Sequence, residues 1–380
     1  MSFPEMLDLI LSILGVAASL VTILIAAIQL LRRISRRKVA LFLREMTEKL
    51  KNIRRKEGLY YVYPEGSIQR VINRARPGSR VIVKGGIYTE NIKVNKKVII
   101  ESESGPDNTV IQARDPNIHI FDLVADNVSI IGFTIRGGTG LYTAGICLSA
   151  NSCIIKNNKI MNNGIGIKLS SSTKSSIYNN EIQSNEEGIQ LDNSNENEIF
   201  DNVISWNEKN GIVADNSVSN KIIRNKIELN VINGIIFNNC KNNTISKNII
   251  NSNANNGILL NNSQDNVLTG NTVGSNRNKG LLLAGSSSNI IYYNNFVKNG
   301  KNAEEYAGNI WSSPSPMTYS YEGRTYTGHL GNYWSDYKGS DENKDGIGDV
   351  SYRVGSEKDS YDSYPLVKTT DNYILSAEGF

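Results

Sequence analysis

Residues 211–279 read GIVADNSVSNKIIRNKIELNVIN, GIIFNNCKNNTISKNIINSNANN and GILLNNSQDNVLTGNTVGSNRNK, and a fourth Gly follows at Gly280. The phrase extends backwards, so that a Gly with an apolar residue behind it recurs at Gly145, Gly166, Gly188, Gly211, Gly234, Gly257 and Gly280, spaced 21, 22, 23, 23, 23 and 23 residues apart. Self-similarity at this period is the mark of a solenoid.

Within each copy apolar residues stand one and three places after the Gly, as in Ile189 and Leu191 or Ile235 and Phe237. A period of 2 is that of a strand. Ile155, Ile177, Ile199, Ile222, Ile245, Leu268 and Ile291 supply a second short strand, and Ile160, Ile182, Ile204, Ile227, Ile250, Val273 and Phe296 a third. One Asn column runs from Asn158 through Asn180, Asn202, Asn225, Asn248 and Asn271 to Asn294, and another from Asn163 to Asn299. Asn tolerates the left-handed backbone of a sharp corner, and stacked amides can bond from coil to coil. The pattern predicts an all-β solenoid, a single-stranded parallel β-helix of about ten coils stacked about 4.8 Å apart.

The formal charge is +4, but residues 32–56 hold eleven Lys/Arg and two Glu, leaving the remainder acidic. A nucleic-acid-binding rod is therefore not expected. Cys147, Cys153 and Cys240 have no metal spacing, and two His with five Met give little material for copper.

In chain order, residues 1–31 are read as an N-terminal transmembrane anchor, because Leu9 to Leu31 is uncharged and long enough to span a bilayer. Glu5 and Asp8 precede the apolar run and Arg32, Arg33, Arg36 and Arg37 follow it; the positive-inside rule then places the rod in the cytoplasm. Residues 32–58 read as a basic amphipathic stalk helix with Val39, Phe42, Met46, Leu50 and Ile53 on one face. The stalk could lie on anionic lipid, pair with a second copy as a short coiled coil, or serve as a solvated spacer. Residues 59–78 form an N-terminal cap with a short helix from Ser67 to Ala75, residues 79–300 the β-helix, and residues 301–380 an aromatic extension.

Three sets of candidate site residues stand out. Val213, Ile236, Leu259 and Leu282 point outward on four successive coils, an apolar stripe that needs a cover or a ligand; the expected cover is the C-terminal segment. Asp192 and Asp215 share a corner of adjacent coils at about the separation retaining glycosidases use, but Asn238 and Asn261 follow at the same place and no cation accompanies them. A polar ladder with Asp as one member is the plainer reading. Asp341, Asn343, Asp345, Ile347 through its carbonyl, and Asp349, with Gly346 at the sixth position, match the first part of a calcium loop. Tyr352 stands where the closing bidentate Glu belongs, so weak calcium binding is expected.

Gly66-Ser67-Ile68-Gln69 with Pro77-Gly78, then Gly86-Ile87-Tyr88-Thr89-Glu90-Asn91-Ile92, and finally Gly331-Asn332-Tyr333-Trp334-Ser335-Asp336-Tyr337, Asp345-Gly346-Ile347-Gly348-Asp349 and Tyr364-Pro365-Leu366 form a set of motifs. Over about residues 60–367 the chain thereby resembles the NosD-type right-handed β-helix proteins, labelled periplasmic copper-binding or carbohydrate-binding/sugar-hydrolase domains. The resemblance implies an exported rod without agreed catalytic residues. Its copper label transfers poorly, since His119 and His329 lie far apart. Export and the charge rule place the rod on opposite sides of the membrane, and the side stays open here. The expected function is a membrane-anchored, non-catalytic surface for glycan or protein. A polysaccharide hydrolase or lyase and a self-assembling structural element are the alternatives.

Overall fold

The computed structural model describes residues 41–49, 58–306, 308–355 and 360–376. The predicted anchor at Leu9 to Leu31 lies outside them, as does most of the stalk, of which residues 41–49 are helical. No described helix is long and apolar enough to cross a membrane. The chain divides into two compact units, Met1–Glu57 and Gly58–Phe380.

The second unit is a parallel solenoid whose three sheets have ten, eleven and eleven strands. The repeat-glycine sheet runs from Ile92–Val94 to Lys301–Glu305. The second begins at Leu59–Val62 and ends at Ile290–Tyr292, and the third runs from Gly86–Thr89 to Tyr333–Trp334. The rod is thus about one turn longer than its sequence period implied. The added rungs come from both flanks: Leu59–Val62 pairs in parallel with Ser79–Val83, and Tyr333–Trp334 with Asn295–Phe296.

Register places like residues side by side. Ile189 pairs with Ile212, Ile212 with Ile235 and Ile235 with Ile258, each at most 1% exposed. These columns form one continuous core, and each coil depends on its neighbours for burial. The recurring Gly has a steric cause. A Cβ on Gly211 would sit 2.6 Å from the Gly234 carbonyl oxygen and 2.7 Å from Ile227 Cγ2, so the corner closes only where the side chain is absent.

At the N-terminal end the helix Ile68–Arg74 closes the rod. Ser67 caps it by accepting from the Arg70 N–H, and the Glu90 carboxylate accepts from the N–H groups of Ile68 and Gln69. These bonds satisfy donors that a helix start leaves open. Gln69 then accepts from the Lys93 N–H and donates to the Lys93 carbonyl, covering the first edge of the glycine sheet.

The interior amides are organised directionally. In the column from Asn158 to Asn294 each Nδ2 and each backbone N–H donates to the Oδ1 of the next Asn, as Asn202 does to Asn225 at 2.9 and 3.0 Å. The column from Asn163 to Asn299 does the same. A third column, which the sequence period had not disclosed, starts with Cys153 and Ser175 and continues through Asn197, Asn220, Asn243, Asn266 and Asn289 to Asn309. A chain of donors closes well on a group that accepts without passing a donor on, and a carboxylate oxygen can do this.

All three columns end this way. Asn294 donates to Asn332 and Asn332 to Asp362; Asn299 donates to Asn302 and Asn302 to Asp336; Asn309 donates to Glu305. Two shorter columns run in the opposite direction and obey the same rule. Asn256 donates to Asn233, Asn233 to Asn210 and Asn210 to Glu187, while Asn261 donates to Asn238 and Asn238 to Asp215.

Candidate functional site

The C-terminal segment supplies two of the three forward terminators, Asp336 and Asp362, while Glu305 ends the glycine sheet, and this fixes where the segment docks. Phe296 stacks on Trp334 at 4.6 Å between ring centroids, Trp334 stacks on Tyr352 at 4.3 Å, and the Tyr293 hydroxyl donates to the carbonyls of Thr370 and Tyr373. A second small core of Tyr319, Tyr321, Leu330, Leu366 and Tyr373 builds outward from there. Asp362 is fully buried and accepts from Asn332, Trp334 Nε1 and the Tyr364 N–H. Burial outweighs these donors and pushes its carboxyl up to about 6.

The tail therefore sits on the last coil, and the expected cover over the stripe takes a different form. Val213, Ile236, Leu259 and Leu282 are direct register neighbours and stay partly exposed on the outer face of the glycine sheet. The same outward row is polar in earlier coils, where it reads Lys93, Asp122, Cys147, Lys168 and Gln190. It becomes aliphatic at Val213 and returns to polar at Glu304. Adjacent coils shield the flanks of each aliphatic side chain, leaving a narrow ridge of exposed methyl groups.

Asp192 and Asp215 are register partners. Asp215 accepts from Asn238 at 2.8 Å and Asp192 from Asn193 at 2.7 Å. Among the described residues neither carboxylate has an ion pair with Lys or Arg. Asp215 thus ends an Asn ladder while Asp192 bonds to its neighbour Asn193, and no ion pair is present among the described residues to tune or assist an acid–base pair.

In the loop 341–349 the carboxylates fold inward on the backbone. Asp341 accepts from the N–H groups of Asp345 and Gly346, Asp345 from Ile347, and Asp349 from Glu342. Hydroxyls of Tyr319, Tyr326 and Tyr373 donate to the carbonyls of Asp345, Lys344 and Gly346, which ties the loop to the tail's aromatic core. Among the described residues no cluster of three or more His, Cys, Asp or Glu has the geometry to hold a metal.

A copper centre does not fit the soft ligands present. His119 Nδ1 accepts from the Ala144 N–H and His329 Nδ1 is bonded to the Ser313 carbonyl in the tail, at opposite ends of the rod. Burial pushes the thiols of Cys147, Cys153 and Cys240 up to about 11. Cys153 occupies the first place of an Asn column, and Cys240 belongs to a Ser column with Ser172, Ser194, Ser217, Ser263 and Ser286. Cys153 and Cys240 are small interior residues of the rod, and Cys147 is buried in the outward row beside Ala144 and Ile165.

A separate feature, absent from the sequence analysis, lies at the corner between the third sheet and the glycine sheet. Thr139, Asn162, Asn163, Gly164, Ser184, Glu186 and Glu208 line an open cleft of about 290 Å³. The signal was the long loop 137–143, which breaks the repeat just before Gly145.

The architecture defines a capped parallel β-helix, and comparison with known proteins adds the family. The family described as periplasmic copper-binding protein (NosD) matches residues 72–233 and 228–339, and the chain belongs to it. A cell surface glycoprotein of Methanothermus fervidus is 37% identical over 86 residues, a match spanning 22% of this chain and 13% of that protein. Among solved structures the Dettilon tailspike protein aligns with a TM-score of 0.57 and 17% identity, over 65% of this chain and 59% of that one. The periplasmic alginate epimerase AlgG aligns at 0.49 and 19% identity, over 66% of this chain and 71% of that one. At these identities the structural likeness is one of fold.

Proposed function

We propose that this protein is a non-catalytic binding rod outside the cytoplasm, held at the membrane by Leu9 to Leu31, with a glycan or another protein as its ligand. The observation that carries the reading is the row Val213–Ile236–Leu259–Leu282, four aliphatic side chains in direct register that stay partly exposed on the outer face of the glycine sheet. Both ends of the rod are capped, which speaks against end-to-end stacking as the function. The exterior placement rests on the family's description and on the match to a cell surface glycoprotein; the basic segment at residues 32–56 argues the other way. Calcium at Asp341, Asn343, Asp345, the Ile347 carbonyl and Asp349 would stiffen the tail in a calcium-rich exterior.

The competing reading is a polysaccharide hydrolase or lyase acting through Asp192 and Asp215, favoured by their adjacency in register. The experiment that separates the two is a titration of surface polysaccharide fractions and candidate partner proteins against wild type and a Leu259→Asp variant. The binding-rod reading expects saturable binding that Leu259→Asp weakens at least tenfold, with the ligand recovered intact. Cleaved ligand, or no binding to either class, would overturn it.

A further inference from the structure

The cleft beside the loop 137–143 is not part of the aliphatic ridge, and its chemistry is different. Three residues separate Met161 from Ile165 and Gln183 from Glu187 at the next two corners between the third sheet and the glycine sheet, but seven separate Arg136 from Ala144. The longer loop lifts Leu141 and Tyr142 into solvent, where they are 81% and 68% exposed. The Tyr142 ring lies over the outer face, 5.9 Å from Lys168 Nζ.

Across the cleft stand Glu186 and Glu208. Glu186 pairs with Lys209 at 2.5 Å, while Glu208 is exposed and has no ion pair among the described residues. Trp206, 60% exposed, precedes the ladder residue Asn207 as the cleft residue Ser184 precedes Asn185. Asn185 donates to Asn207, so Trp206 stands one coil along the same corner from Ser184. Two large exposed rings thus stand next to cleft residues, Tyr142 in the loop that supplies Thr139 and Trp206 one coil beyond Ser184, and Glu208 is available to accept hydrogen bonds.

From this we infer that the cleft is a subsite for a neutral oligosaccharide, a second site apart from the ridge that rests on the glycan form of the proposed function only for its ligand class. A sugar ring presents C–H faces that stack on Tyr and Trp, whose few torsions make such contacts cheap in entropy. Its hydroxyls donate to carboxylates in charge-assisted bonds and exchange bonds with Asn162 and Ser184. A peptide would need an apolar pocket for a side chain, whereas these walls are polar. An acidic glycan would meet Glu186 and Glu208 as like charges. A volume near 290 Å³ is at the small end for ligand sites, which fits one or two sugar units of a longer chain held shallowly along the corner.

The test is calorimetric titration of the whole protein with cello-, xylo-, manno-, malto- and chito-oligosaccharides of six units at millimolar concentration, with oligogalacturonate as the acidic comparison. At least one of the neutral sugars should bind. Tyr142→Ala and Trp206→Ala should each raise its Kd at least tenfold and Glu208→Gln severalfold, while Leu259→Asp leaves that Kd within twofold. All the side chains changed are at least partly exposed, and unchanged melting curves confirm that each variant is folded. Binding that ignores Tyr142, Trp206 and Glu208 would overturn the site and leave the glycan-binding reading standing. Tyr142-dependent binding of oligogalacturonate but of no neutral sugar would overturn the neutral class, and no binding to any sugar would overturn both site and glycan reading.

Discussion

Asn332 and Asp362 meet at the end of an amide column that begins at Asn158: the Asn332 backbone N–H donates to Asp362 Oδ2 at 2.7 Å and its Nδ2 to the same oxygen at 3.3 Å. Every Asn before it passes its donors to the next carbonyl oxygen, and the buried carboxylate accepts the last pair. The tail is therefore a continuation of the rod's polar interior, and losing its acceptors should be felt along the last coils.

Asp362→Ala would strand the donors of Asn332 and the Trp334 indole in a fully buried place. With unsatisfied buried groups costing about 1–3 kcal/mol each, the variant should lose roughly 3 kcal/mol or more in chemical denaturation. Limited proteolysis should then cut between residues 310 and 376 while the coils up to Asn271 stay protected.

Because burial raises the Asp362 carboxyl to about 6, the folded protein holds that proton more tightly than the unfolded chain. The sign follows: this group favours folding below the ordinary carboxylate range, and its contribution is lost as pH rises from about 4 to about 6 and then stays flat. The melting temperature of wild type minus that of Asp362→Asn should fall between pH 4 and 6.5. A difference independent of pH would remove the titration of Asp362 from the account.

Gly211→Ala should destabilise the central coils by more than the usual surface cost of a methyl group, because the new Cβ meets the Gly234 carbonyl at 2.6 Å. A loss of about 2 kcal/mol or more is expected, in the range of overpacked cores. Ala at the open Gly323 should not share this steric cost, since nothing lies within 4 Å of its Cβ position, although its φ of +78° will carry a smaller strain.

Calcium should bind weakly at 341–349, with a Kd on the order of 10⁻⁴ to 10⁻³ M, since position 12 is Tyr352. Millimolar calcium should slow proteolysis after Asn299, and Asp345→Ala should abolish that protection. Identical cleavage with calcium and with chelator would reduce the loop to the self-bonded turn that Asp341 and Asp345 already make.

Much of the fold was legible because a solenoid repeats its solution. Gly211, Ile212 and Asn225 occupy the same places as Gly234, Ile235 and Asn248, so steric, apolar and polar requirements all showed as one period. The third Asn column was hidden because Cys153 and Ser175 hold its early places. The reversed column through Asn210 was hidden because it begins only where the coils lengthen from 22 to 23 residues. Its terminator Glu187, raised by burial, looks like any surface Glu in the sequence. The terminators Asp362 and Asp336 lie 30 or more residues beyond the ladder positions they complete, inside an aperiodic tail. That distance explains why the sequence, which suggests a tail that both covers Leu259 and caps the last coil, does not disclose how the cap is made. The cleft at Thr139 depends on a loop that interrupts the repeat, and periodicity carries no information there.

The central claim is that the rod binds without cleaving, with Asp215 as the end of an Asn ladder and Asp192 bonded to its neighbour Asn193. It is tested most directly by incubating the protein with a polysaccharide that it retains and following polymer length together with new reducing or unsaturated ends. The account predicts retention with unchanged length, the same for wild type and for the Asp192→Asn/Asp215→Asn double variant. Progressive shortening by wild type that the folded double variant no longer performs would contradict it.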